Sequence, residues 1–111
     1  MLPQSERKFR MDDEGMGYSY ELLASPLYSN VEPTIVHVTP KDENYRSEPY
    51  THSQEEFIYI LEGAIYLLYD GKKHYMQKGD TAYFKGEKTH LFIPVDNDGA
   101  KVLTVFVNSN L

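Results

Sequence analysis

Cysteine is absent from the 111 residues. That excludes a disulfide framework, a thiolate zinc ribbon and a cysteine nucleophile, and it suits a reducing compartment, so a cytoplasmic location is expected. Positive charge is also scarce: 11 Lys and Arg stand against 17 Asp and Glu, a net charge of −6. A domain that neutralises nucleic-acid phosphates needs a basic face, so direct nucleic-acid binding is not expected of this one. No apolar run approaches the roughly 20 residues of a membrane span. Residues 1–10 are polar and charged, without the apolar stretch of a secretory signal. There are no internal repeats and no low-complexity segment. A sustained helical period is missing too, and the length suits one domain.

What the chain does have is aromatic residues, at 14%, with ten tyrosines. Such side chains suit the pleated, half-buried surface of a sheet. Gly and Pro punctuate short apolar runs from end to end, which predicts an all-β fold. Residues 1–17, with the acidic run Asp12-Asp13-Glu14, read as an arm or an edge strand, and residues 18–111 as the folded domain. Strands are predicted at 18–24, 34–39, 57–61, 64–69, 73–77, 81–84, 91–95 and 102–107. Pro40 ends the second of these, and Glu62-Gly63 separates the third from the fourth. Asp70-Gly71 is a strong hairpin turn, and Lys78-Gly79-Asp80 and residues 96–99 are further turns. Residues 57–61 are apolar at every position, so both faces of that strand need cover, from the domain's own second sheet or from another subunit. Short strands at this spacing suggest a jelly-roll sandwich or barrel.

The stretch richest in chemistry is Tyr50-Thr51-His52-Ser53-Gln54-Glu55-Glu56. His52 and Glu56 converge if they share a strand face, or if a turn at Ser53-Gln54 folds one onto the other. His90 lies beyond the predicted hairpins, where the returning chain can bring it alongside. Two imidazoles and one carboxylate suit Fe, Mn, Ni, Co or Zn as divalent ions and leave coordination positions open. The plain alternative is that all three are surface residues. Glu55 is expected on the opposite strand face, solvated or paired with a lysine, although it could replace Glu56 as the ligand. His37 reads as a core or rim histidine, and His74, after a turn and beside Lys72 and Lys73, as exposed. Ile58 and Ile60 share the parity of Glu56, and Phe92 shares that of His90. With Tyr50 they would line an apolar ligand pocket, unless the barrel is packed solid.

Glu56 is followed six residues later by Gly63, and Gly79 opens the run "GDTAYFKGEKTH" that ends at His90. This pattern resembles both motifs of the cupin family over about residues 34–107. The resemblance implies an all-β, cupin-type double-stranded β-helix (jelly-roll) barrel with a metal on His52, Glu56 and His90. Three positions depart from the motifs. Tyr50 stands where a further histidine ligand is common, Lys85 and Glu87 replace Pro and Gly, and Pro94 replaces Asn. Tyr50 could hydrogen-bond a ligand or a metal-bound water, act as an acid or base, or simply pack at the barrel mouth. Within the cupins, "YTHSQEEFIYILEG" and Tyr20-Glu21-Leu22-Leu23 are similar to the C-terminal sensor domains of bacterial helix-turn-helix transcription regulators. No helix-turn-helix pattern precedes Tyr18, so the chain reads as a stand-alone relative or an excised domain. The expected function is a metal-binding regulatory domain for a small-molecule effector. A small metal-dependent dioxygenase, isomerase or lyase is the alternative, and a metal-free interaction module the third reading. The apolar strands at 57–61 and 102–107 suggest a homodimer through outer sheets, as small cupins often form.

Overall fold

In a computed structural model, residues 2–11, 18–24, 30–39 and 51–108 are described. The predicted loops at 26–30 (apart from Asn30) and 41–49, the acidic run and Tyr50 lie outside them. The described residues form a short 3-10 turn, Gln4–Glu6, and eight strands: β1 Lys8–Met11, β2 Tyr18–Leu22, β3 Val31–Val38, β4 Glu55–Tyr69, β5 Lys72–Gln77, β6 Thr81–Lys85, β7 His90–Pro94 and β8 Ala100–Val107. All pairings are antiparallel. The all-β jelly-roll expectation holds. No helix among the described residues is long and apolar enough to cross a membrane.

β4 organises the molecule. Its first half lies between β8 and β6 in one sheet, which continues through β3 and β2 to β1. Its second half lies between β5 and β7 in the other. The predicted break at Glu62-Gly63 is therefore a corner inside one 15-residue strand. The register against β8 slips between Ile60 and Glu62, a bulge that turns the strand from sheet to sheet. Gly63 has φ +76°, and a Cβ there would overlap the Gly99 carbonyl, so the corner needs glycine. The β4–β5 hairpin closes through Asp70 (φ 50°) and Gly71 (φ 80°), the paired positive φ values of a type I′ turn.

β3 begins three residues earlier than expected and runs through Pro33. The Pro33 carbonyl accepts from the Leu23 N–H, so its ring nitrogen points to the same side, just past the end of β2. The one ladder bond forgone is the return bond to the Leu23 carbonyl, where β2 has already ended. The amino-terminal segment is an edge strand, β1, paired only with β2 among the described residues. Alternation then sorts the side chains. Ile58, Ile60, Ile65, Val36, Val38 and Val102 are almost fully buried between the sheets, each stabilising the fold by about 1.5–3 kcal/mol. Phe57 and Leu61 are only half-buried and Tyr59 is 39% exposed. One chain thus covers one face of residues 57–61, not both. His37 is likewise not a core residue: it lies on the outer face, its Nε2 3.1 Å from Glu21 Oε1.

Candidate metal centre

The site is assembled from three parts of the fold. Glu56 is the second residue of β4 and points inward, with 1% of its surface exposed. Its cross-strand partners are Phe84 of β6 and Phe106 of β8, so the carboxylate stands between two rings. His90 opens β7 opposite Tyr69 and is fully buried. His52 precedes β4, turned back by the bend at Ser53-Gln54. Of the two local geometries open in the sequence, the turn is the one observed.

The donor atoms converge tightly. His52 Nε2 is 3.0 Å from Glu56 Oε1 and 3.0 Å from His90 Nε2, and His90 Nε2 is 3.4 Å from the same carboxylate oxygen. For metal bonds of about 2.1 Å, adjacent ligands stand about 3.0 Å apart at a right angle and about 3.4 Å apart at the tetrahedral angle. The triangle has the edges of one face of such a coordination sphere.

The rings are oriented from behind. His90 Nδ1 lies 2.8 Å from the Lys88 carbonyl, and His52 Nδ1 lies 3.2 Å from the Gln54 carbonyl. A carbonyl only accepts, so each Nδ1 carries a proton, and in its neutral form each ring turns the lone pair of Nε2 to the centre. Two lone pairs and a carboxylate oxygen then face one another, an arrangement that a cation resolves. The chemistry of the donor set fits a divalent transition metal. The rings also pack: His52 is edge-on to His90 (centroids 4.7 Å) and to Phe106 (5.5 Å), and Phe84 lies 5.1 Å from His90. The His52 side chain is 19% exposed, so the centre reaches solvent on that side.

Gly86 holds His52 in place and was not singled out from the sequence. The His52 N–H donates to the Gly86 carbonyl (2.9 Å), and the Gly86 N–H to the Gln54 carbonyl (3.0 Å). A Cβ at Gly86 would overlap the His52 ring and the Gln54 carbonyl. Glycine at this point, one residue earlier than the motif position occupied by Glu87, was the available signal. The structure also shows a buried polar group that sequence reasoning missed. Thr104, inward-facing and paired with Thr34 and Ile58, is fully buried, and its hydroxyl has no hydrogen-bond partner among the described residues.

Of the other residues weighed, Ile58 and Ile60 are fully buried on the Glu56 face and Phe92 is 2% exposed on the His90 face. Glu55 points to the outer face, opposite Lys85 in register and hydrogen-bonded to Tyr83. His74 is exposed. Elsewhere, Glu21 is 7% exposed. The hydrogen bond from Arg7, 2.7 Å, and then that of His37 hold its carboxyl below the ordinary value.

Residues 35–106 match the family model described as Cupin domain. The chain belongs to the cupin family. No curated protein sequence matches it significantly. Several solved structures share its fold. Hydroxypropylphosphonic acid epoxidase from S. wedmorenis superposes with a TM-score of 0.78 at 21% identity, over 96% of this chain and 58% of the other. A structure of iron(II) HppE gives 0.77 at 20% identity, over 96% and 59%. A sugar phosphate isomerase of the cupin superfamily from Silicibacter pomeroyi gives 0.78 at 24% identity, over 98% and 76%. The chain spans less than two thirds of the length of the epoxidase structures. At these identities the likeness is one of fold.

Proposed function

We propose that this cupin binds a divalent transition metal through His52, Glu56 and His90 and takes a small-molecule effector at the open coordination positions. The observation that carries this reading is the convergence of three acceptor atoms within 3.0–3.4 Å, each imidazole aimed by a backbone carbonyl behind it. Ile58, Ile60 and Phe92 would form the apolar wall of the effector pocket, with Tyr50 as a polar contact or acid–base group. The likeness of "YTHSQEEFIYILEG" to regulator sensor domains favours a regulatory role, with any DNA contact made by a partner and not by this acidic domain.

A second reading is a metal-dependent enzyme. It is supported by folds shared with an iron(II) protein and with a sugar phosphate isomerase, and by the ability of an open facial site to polarise a bound oxygen. The first experiment is elemental analysis of protein purified without chelator. Near-stoichiometric metal that disappears in His52→Ala and His90→Ala is expected; full occupancy retained in both would sink the assignment. Effector titration and turnover assays on the metal-loaded protein then separate the two readings. Binding without turnover supports the sensor, and turnover lost with either histidine supports the enzyme.

We also propose a homodimer through the outer face of the larger sheet. Phe57 and Tyr59 on β4 stand there beside Val105 and Leu103 on β8, and Pro33 and Ile35 on β3 continue the apolar surface. Light scattering at micromolar concentration should give twice the chain mass, and a monomer would contradict it.

A further inference from the structure

β5 and β6 are the outer strands of the two sheets on one side of the sandwich, each paired only with β4 among the described residues. Between them lies a groove of about 610 Å³. Alternation explains its lining. Leu67 and Tyr69 of β4 and Met76 of β5 point in from one sheet, and Ala82 and Phe84 of β6 from the other, so its floor is apolar. The outward-facing residues of the two edge strands form the lips: Tyr75 on β5 is 54% exposed and Tyr83 on β6 is 60% exposed. His74, Asp80 and Thr81 add polar groups at the rim.

Exposed tyrosines are ordinary singly. Here two of the most exposed aromatics of the described chain stand on opposite lips of one concavity, above a floor that holds two more rings. Tyr69 and Phe84 lie with centroids 5.2 Å apart at 57°, so the floor offers both ring faces and ring edges. The Tyr83 hydroxyl is tied back to Glu55, which steadies that lip. The open groove exposes polar and apolar surface in nearly equal parts, and a concave space of this size with rings on its floor and hydrogen-bonding groups at its edge suits a small, flat molecule that can stack and donate or accept.

We infer that the β5–β6 groove is a second ligand site, for a small planar aromatic molecule bearing a hydrogen-bonding group. It is separate from the candidate metal centre and its existence does not depend on metal. It does adjoin that centre: the Phe84 ring, part of the groove floor, has its centroid 5.1 Å from that of His90. An occupant of the groove therefore touches a ring that touches a proposed ligand.

The chain contains no tryptophan, so indole can be followed by its own fluorescence with excitation at its red edge. Indole is titrated into metal-free full-length protein, and aromatic NMR shifts are recorded in parallel. Saturable binding with a blue-shifted emission and shifts at Tyr69 and Phe84 is expected. Tyr75→Ser with Tyr83→Ser, both at exposed strand positions, should weaken it about tenfold, equivalent to about 1.4 kcal/mol. Ala82→Leu, which fills the floor, should weaken it as much without touching the lips. No saturable binding up to millimolar indole would overturn the site. So would binding by both variants equal to that of the wild type.

Discussion

Glu56→Gln separates a metal site from a self-satisfied hydrogen-bond cluster, because the two pictures give opposite signs in the absence of metal. In the wild type, Glu56 Oε1 faces His52 Nε2 at 3.0 Å and His90 Nε2 at 3.4 Å, and both Nδ1 protons are committed to backbone carbonyls. Without a cation this places acceptors against acceptors around a carboxylate that is 1% exposed. Glutamine keeps the size and supplies an amide with two N–H donors, one for each imidazole. At about 1 kcal/mol per hydrogen bond, the chelated variant should be about 2 kcal/mol more stable than the chelated wild type. With metal the order reverses. A ligand at 100 times its dissociation constant stabilises the native state by about 2.7 kcal/mol, and the variant, having lost the anionic donor, should gain far less. Urea unfolding followed by tyrosine fluorescence and circular dichroism, with chelator and with a saturating first-row metal, reads both comparisons. If Glu56→Gln is instead destabilised by a similar amount in both conditions, the imidazoles donate to Glu56 and the cluster is structural. The Nε2 atoms then carry protons.

Three further outcomes test other parts of the structure. Thr104→Val exchanges a buried hydroxyl without a partner for an isosteric methyl, so it should raise stability by about 1 kcal/mol, or roughly 4–8 °C in melting temperature; a loss of stability by calorimetry would mean that the hydroxyl is satisfied. Gly86→Ala should displace the His52 ring and weaken metal binding about 10- to 100-fold by competition with a chromogenic chelator, the size seen when groups orienting a metal ligand are lost, and an unchanged affinity would separate Gly86 from the site. Glu21 is held below its ordinary value of about 4.5, first by Arg7 and then by His37. A depressed carboxyl contributes stability above its unfolded value and loses it as pH falls through the folded one, so the wild-type advantage over Glu21→Gln in urea midpoint should shrink as pH is lowered below about 4.5, and a constant advantage there would contradict the assignment.

Most of the fold was legible because its signals are local. The apolar runs at 57–61 and 64–69, the Asp70-Gly71 turn and the glycine-bearing turns each act over a few residues, and the strands fall close to where they put them. What escaped was decided by neighbours. The Glu62-Gly63 break is chemically identical in a loop and in a bulged corner; only β8 on one side, with β5 and β7 beyond, makes it a continuous strand. Pro33 looks like a strand boundary until the end of β2 is known, because the cost of its missing N–H depends on whether a partner was waiting for it. His37 and Ile35 share one parity and Val36 and Val38 the other, but parity cannot say which face is inside. Gly86 is a contact of the site through space, and its spacing from His90 does not reveal that its missing Cβ leaves room for His52.

The same reasoning shows why the candidate site sits where it does. His90 belongs to the smaller sheet and Glu56 to the larger, and among the described residues the two sheets share only β4, which carries Glu56 near its start and Tyr69, the partner of His90, at its end. The segment from His52 to Gln54 is tied by two backbone hydrogen bonds to the β6–β7 loop that delivers His90. The three donors therefore close the mouth of the sandwich from both layers, at the end remote from the bulged corner that joins them. An ion held there would link the layers at their open end, much as the β4 corner links them at the other, so occupancy of the proposed centre would be coupled to the stability of the barrel.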